Sequence, residues 1–432
     1  MQHAGSTPPS SLAPVATSHA AEAPSRRGWS AVFAMTLCVS TLIASEFMPV
    51  SLLTPIASGL AVTEGQAGQA ISISGVFAVV TSLFLTSVVG NLDRRVVLLA
   101  LTGLMMVSGL IVSFAPNFGV LMVGRALLGI VIGGFWSLSA AIVMRLVPEG
   151  DVPRALALLN GGNALATTIA APMGSFLGEI IGWRGAFFLV VPLAAATFAW
   201  QAMTLPSMRS ELHSRKASAL GVLRLPEARI GMLAVGLLFM GQFALFTYIR
   251  PFLEDVTQVS VSSLSLILLL MGVAGLVGTW FVGRAVAFSL STTLIVAPIL
   301  MGAIAIALTL TGTMALPTAA LLGLWGLIGT AVPVAWWTWL SRTMPDDAEA
   351  GGGLMVAVIQ LTITAGAAGG GILFDSLGHQ ATLIASAALL GGAAVAGAAA
   401  SRKAPTPEAA AARLTVSGIS EPSSQLHADY RP

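Results

Sequence analysis

About twelve segments of this chain run for roughly 20 residues each with almost no charge, the length a helix needs to cross the hydrocarbon of a bilayer. That pattern constrains the fold more than any motif, because only helices and closed barrels satisfy their backbone groups in lipid. A barrel would show alternating polar and apolar residues over short strands, whereas these runs are continuous. Composition agrees: 56% of the 432 residues are hydrophobic and 9% are charged, with a mean hydropathy of +0.89. A soluble domain carries roughly 25% charged residues. The expected fold class is an all-α polytopic membrane protein, with the lipid bilayer as its surroundings and no nucleic-acid partner.

The predicted spans are 29–54, 67–89, 96–115, 118–143, 155–181, 186–204, 230–252, 262–282, 290–311, 316–341, 352–374 and 380–400. A polar linker over 205–229 divides them into an N-terminal six-helix half, 29–204, and a C-terminal six-helix half, 230–400. Two halves joined by a basic loop fit a transporter built from repeats, with its site between them. Residues 1–28 and 401–432 are rich in Ala, Ser and Pro or in polar residues, and read as disordered cytoplasmic tails. Arg26, Arg27, Arg94, Arg95, Arg145, Arg154 and most other cations fall on one side of the spans, while Arg184 and Arg250 fall on the other. By the positive-inside rule both termini are expected in the cytoplasm.

Several chemistries are missing from the sequence. No G-x-x-x-x-G-K-[ST] stretch is present to cradle ATP phosphates, which excludes an ATP-driven pump for this chain alone. No H-E-x-x-H or membrane-facing Ser-His-Asp pattern points to a hydrolase. With a single cysteine, Cys38, neither an internal disulfide nor a cysteine metal cluster can form. No catalytic residue, metal or cofactor is expected.

The informative residues are ionisable groups inside spans, each costing at least ~2.5–3.5 kcal/mol near mid-membrane. Glu46 lies in the first span, Arg125 in the fourth and Glu179 near the outer end of the fifth. At about 1.5 Å per residue, Glu46 and Arg125 reach similar depths in the outer half and are expected to face one another, directly or through water. Two readings stay open: a proton-coupling pair and a static ion pair joining two helices. Gly124, Gly129 and Gly133 read as close helix packing. Gly161, Gly162, Pro172, Gly174 and Gly178 add packing with a kink at Pro172, and a gating hinge is the sharper alternative.

Polar and aromatic residues in spans suggest an uncharged or zwitterionic cargo. The substrate-binding candidates are Trp136, Asn160, Asn163, Gln242, Phe243, Phe246, Trp325, Trp336 and Gln360, with Thr167 and Thr168 beside them. Amides can read the edge of a polar ligand and aromatic faces can stack on a flat ring. For Trp136 and Trp325 cavity lining and lipid contact both remain open, and Trp337 and Trp339 read as an interfacial belt.

"GNLDRR" at 90–95, "RALLG" at 125–129, "AAPMGSFLG" at 170–178 and "GWRGAFF" at 182–188 resemble the major facilitator superfamily in its drug and metabolite antiporter branch. The first motif departs from the family's loop signature: Asp93 and Arg94 fit, Gly90 is one residue too near, and Val96 stands for the second glycine. The resemblance spans about 29–400 and implies the fold of twelve transmembrane helices in two halves. "EFMPVSLLTPIA", "GGFWSLSAAIVMRLVP", "GQFALFTYIRP" and "VPVAWWTWLSR" look more specifically like bacterial purine ribonucleoside efflux pumps. The resemblance implies a proton-coupled exporter of a small molecule, acting as a monomer in the bacterial inner membrane. It assigns proton coupling to Glu46 and Arg125, and gating or packing to Gly90, Asp93, Arg94, Gly129, Pro172 and Gly174. Export of arabinose-like sugars or amphipathic drugs is the alternative within the class; a channel or a non-transporting membrane receptor is the alternative outside it.

Overall fold

The computed structural model describes residues 26–89, 92–208, 223–344 and 348–403. Gly90, both expected tails up to Ser25 and from Ala404, and linker residues 209–222 lie outside the described residues. Within them the chain is helical and holds no strand. A first group comprises α1 Arg26–Ser51, α2 Leu53–Leu60, α3 Glu64–Val89, α4 Arg94–Ser113, α5 Phe118–Leu146, α6 Val152–Phe188 and α7 Val190–Thr204. A second comprises α8 Pro226–Phe246, α9 Val261–Thr311, α10 Ala315–Gly329, α11 Val332–Thr343, α12 Ala348–Leu377 and α13 His379–Lys403.

Several helices begin where their first-turn N–H groups find acceptors or are absent. Asn117 accepts from Val120 N at 3.0 Å to start α5, and Ser260 accepts from Ser263 N at 3.2 Å to start α9. Pro153, Pro226 and Pro333 sit in the first turns of α6, α8 and α11. Ten stretches among the described residues are long and apolar enough to span a bilayer. Two of them, Arg154–Thr204 and Val261–Thr311, hold 51 residues each, about 76 Å if straight. Each contains a non-helical residue, Gly182 with φ 72° and Ser289 with φ −162°. Ser289 Oγ then accepts from Thr292 N at 3.2 Å, capping the second part of α9. Observed helices start before the predicted spans, at Arg26, Glu64 and Arg94, because a helix continues past the hydrocarbon edge into its polar flank.

The surface is apolar as a lipid-facing surface must be: Phe288, Leu316, Met203 and Leu310 are largely exposed. Each group has its own apolar core, around Phe135, Leu98 and Met35 in the first and around Trp325, Met301 and Leu253 in the second. Glycines set the helix spacing. A Cβ at Gly129 or Gly133 of α5 would run into the α3 backbone at Ser74 or Ala78, and one at Gly278 of α9 into Leu327 of α10. The groups meet chiefly through α3 against α12 and α6 against α9.

Contacts also sort the helix ends into two faces. Trp200 Nε1 donates to Ser30 Oγ at 2.9 Å, and Arg95 donates to Ala202 O at 2.6 Å. Those contacts put the starts of α1 and α4 beside the end of α7, on what we term the terminal face. Arg184 donates to Ala115 O at 2.9 Å on the opposite, distal face. Asp93 organises one corner of the terminal face. Its carboxylate accepts from Ser207 Oγ at 2.5 Å, Met208 N at 2.8 Å and Arg95 N at 2.9 Å, tying the α4 start to the segment leaving α7.

The Ser207 hydrogen bond, with the Met208 and Arg95 amides and the Arg95 charge, holds the Asp93 carboxyl below its ordinary pKa of 3.8. A depressed folded-state pKa means the tie is intact above the ordinary value and is lost as pH falls through the folded one. Hydrogen exchange at the Arg95 and Met208 amides, corrected for intrinsic rate, is expected to stay slow at pH 6 and to quicken only at a pH below the ordinary value of 3.8. Asp93→Asn should remove that pH dependence, whereas an unchanged profile would refute the tie.

Candidate functional site

The site grows from prolines in the first span. A proline inside a helix supplies no N–H, so the carbonyl four residues earlier loses its partner. Pro49 leaves Ser45 O in this position inside α1. Arg125 of α5, with 1% of its surface exposed, donates from one terminal nitrogen to Ser45 O at 2.7 Å. Its other terminal nitrogen donates to Glu46 O at 3.1 Å and its Nε to Ala70 O of α3 at 2.9 Å. One buried guanidinium thus joins α1, α3 and α5, and Ser74 Oγ donates back to Arg125 O at 2.9 Å.

Glu46 is 5% exposed. Arg125 meets it through the backbone carbonyl, while the carboxyl is approached by the Gln360 side chain of α12, from the second group. The arrangement therefore places the acid between the arginine's group and the opposite half.

A second proline and arginine repeat the arrangement nearer the distal face. Pro55, past the break at Leu52, cannot donate to Ser51 O. Arg250, 4% exposed and in the second group, donates to that carbonyl across the group boundary. Its other nitrogens hold Glu254 at 2.8 Å. Sequence reasoning put Arg250 with the outer flank; the structure buries it against α1. Nearby, Asp375 of α12 accepts from Gly65 N at 3.0 Å and from Thr63 Oγ1 at 2.6 Å, capping α3 from the other group. Ser72 and Thr364 exchange bonds between α3 and α12 at 3.2 and 3.4 Å, and Thr168 Oγ1 donates to Gly272 O at 3.3 Å. These junctions run from mid-helix to the distal face.

Between the groups lies a cavity of about 80 Å³, room for several water molecules. Phe47 of α1, Thr167, Thr168 and Ala171 of α6, Gln242, Phe243 and Phe246 of α8, Leu268, Met271 and Gly272 of α9, Trp325, Gly326 and Gly329 of α10 and Thr330 just after it line the cavity, with no charged side chain. Phe47, Phe243 and Phe246 form an aromatic wall, with centroid separations of 5.9, 6.3 and 5.7 Å. Phe47 follows Glu46 in sequence, so wall and acid share one turn of α1.

Of the sequence candidates, Gln242, Phe243, Phe246 and Trp325 come together at this cavity with Thr167 and Thr168. Gln360 stands apart from its lining, beside Glu46. Trp136 is half-buried against Phe135, and Trp336 is buried against Trp339 at 5.5 Å in the second core. Asn160 is exposed and donates to Leu156 O at 2.9 Å; Asn163 is half-buried outside the lining; Glu179 is exposed. Trp339 is buried against Gly231 and so forms no interfacial belt, while Trp337 is 42% exposed. Gly174 packs on Ser51 and Met48 of α1, Pro172 lies inside α6, and Arg94 opens α4 with one terminal nitrogen unpartnered. Phe47, Met271 and Arg250 were not selected from sequence. Adjacency to Glu46 could have flagged Phe47, and the Arg250-Glu254 spacing of four could have flagged a helical ion pair.

The family model described as Major Facilitator Superfamily matches residues 32–361. The chain is 56% identical over 373 residues, 85% of its length and 93% of the relative's, to a Pseudomonas aeruginosa protein named transcription regulatory protein OpdE. It is 41% identical over 375 residues to the purine ribonucleoside efflux pump NepI of Escherichia coli K12, covering 87% of this chain and 95% of that protein. Among solved structures, a bacterial homolog of the human lysosomal transporter Spinster, inward-facing and occupied, superposes with a TM-score of 0.68. That match has 14% identity and covers 87% of this chain and 98% of the other.

If Arg250 serves Ser51 O because Pro55 cannot, Arg250→Met is expected to destabilise the folded protein by about 1–3 kcal/mol. Adding Pro55→Ala, which restores an N–H, should recover roughly 1 kcal/mol of that loss. Thermal unfolding of the single and double variants in detergent reads both; a double variant no more stable than Arg250→Met alone would refute the capping account.

Proposed function

The chain belongs to the Major Facilitator Superfamily, and from that premise we propose that it is a proton-coupled exporter of purine ribonucleosides working by alternating access. Family membership makes it a multi-pass membrane transporter rather than an enzyme. The observation that carries the finer reading is the uncharged cavity between the groups, walled by three phenylalanines, one of which follows the buried Glu46 in sequence. An aromatic wall suits a flat base, and the absence of lining charge suits a neutral cargo. Two relatives named purine ribonucleoside efflux pumps, at 41% and 42% identity, support the same class of cargo.

The remaining parts of the proposal follow from the same geometry. Counting each 51-residue run as two crossings, folded at Gly182 and Ser289, raises ten candidate spans to twelve. An even count would return the chain to the terminal face, and the Lys and Arg distribution supports a cytoplasmic position for it, in this proposal at a bacterial inner membrane. The junctions at Arg250, Asp375 and Thr364 then close the outer side, the arrangement of an inward-facing carrier. Opening that side and closing the other would present the cavity to the exterior. A proton reaching Glu46 would neutralise the acid beside Arg125 and weaken their attraction, linking proton entry to cargo release. The protein acts as a monomer in this proposal.

The Pseudomonas relative's name favours a second reading, a membrane protein that reports on a small molecule to gene expression rather than moving it. Counterflow of labelled inosine through purified protein in liposomes separates them. The transporter reading expects labelled inosine to accumulate over protein-free liposomes, while arabinose and a cationic drug do not compete. Competition by those two in place of inosine would support the alternative cargo. Binding of inosine without any counterflow would support the sensor reading.

A further inference from the structure

Two residues that line the cavity each carry a buried polar atom without a partner. Trp325 is 1% exposed and its indole Nε1 is buried with no hydrogen bond; Gln242 Oε1 is likewise buried and unbonded. Both residues line the same cavity, from α10 and α8. A Cβ added at Gly329, one helical turn beyond Trp325, would stand 2.9 Å from Gln242 Nε2. The amide therefore lies against the same stretch of α10 that presents the indole. Buried polar groups are normally bonded, and leaving them bare is unfavourable. Trp339 Nε1 is also unpartnered, yet it lies in the second core and outside the cavity lining.

We propose that Trp325 and Gln242 form the specificity-determining pair of the cavity, a proposal that rests on the transport reading above and deepens it. The indole is a donor only, while the amide offers both an acceptor and a donor whichever way it is turned. The complement is a neutral planar heterocycle with an acceptor and a donor adjacent on one edge. Trp325 Nε1–H donates to the ring substituent or ring nitrogen that accepts, and Gln242 Oε1 receives the neighbouring N–H. A lactam edge, C=O beside N–H, meets this need, and so does an amidine edge, a ring nitrogen beside an amino group. The 6-oxopurine and 6-aminopurine bases carry one edge each. A sugar offers hydroxyls but no aromatic face for the Phe47, Phe243 and Phe246 wall. A cationic drug would find no acidic side chain in the lining.

The test compares inosine with purine riboside, which keeps the ribose and both rings but has no substituent at the sixth position and no N–H on that edge. Each competes, unlabelled, against labelled inosine in counterflow through purified full-length protein in liposomes. The wild type is expected to favour inosine by about 10–100-fold, the worth of a buried hydrogen bond left unmade. Gln242→Met, of similar size but unable to bond, should narrow that ratio to within a few-fold by weakening inosine and sparing purine riboside. Trp325→Phe should shift it in the same direction. Equal competition by the two nucleosides in the wild type would overturn the proposal, as would a parallel loss for both in Gln242→Met, which a merely structural role produces. If Trp325→Phe does not fold, the wild-type ratio and Gln242→Met still decide. Absence of counterflow with either nucleoside would overturn the transport reading, and this pair with it.

Discussion

A helix in lipid has no water to satisfy a carbonyl that loses its partner, so each interior proline must be answered from a neighbouring helix. Two such answers, both from arginines, organise this molecule. Arg125 takes up Ser45 O beside Pro49, and Arg250 takes up Ser51 O beside Pro55. At Pro172 and Pro298 a neighbouring helix comes close to the freed carbonyl. Gly272 of α9 comes against Thr168 O, and Gly397 of α13 comes against Leu294 O; a Cβ at either would stand 2.5 or 3.0 Å from the oxygen.

That constraint also explains where the acid can sit. The guanidinium that completes the broken ladder of α1 brings positive charge to the helix carrying Glu46, so the cost of burying a carboxyl there is partly offset. Phe47 follows Glu46 and lines the cavity, so the buried acid and the cavity wall share one turn of α1. Arg250 and Asp375 bind the same helix and its neighbour α3 from the opposite group. The first span is therefore the element on which the cavity wall, the buried acid and the contacts between the two groups converge.

Much of this architecture was legible in the sequence, and the reasons for the rest are physical. Uncharged runs of span length declare helices, and counting residues from the span ends brought Glu46 and Arg125 to a common depth. The same count could not say which atoms would meet, and the arginine reaches the glutamate's carbonyl rather than its carboxylate. Rotation about each helix axis was the harder quantity. Lipid is as apolar as the protein interior, so a spanning helix carries little periodic contrast to mark its inner face. Residue type alone consequently selected Trp336 and Asn160, which point elsewhere, together with Gln242 and Trp325, which reach the cavity. Met271 and Leu268 line it too, yet nothing distinguishes them in sequence from leucines facing lipid. Arg250 was placed at a flank because its partner, Ser51 O, is 199 residues away in the chain.

The central claim is that Glu46 exchanges a proton during turnover rather than serving only to join helices. The most direct measurement follows inosine and protons together in liposomes under an imposed pH gradient, for the wild type and Glu46→Gln. The account expects the wild type to concentrate inosine with a matching proton flux. It expects Glu46→Gln to keep inosine counterflow while losing both gradient-driven accumulation and the accompanying protons. Gradient-driven accumulation by Glu46→Gln equal to that of the wild type would contradict it.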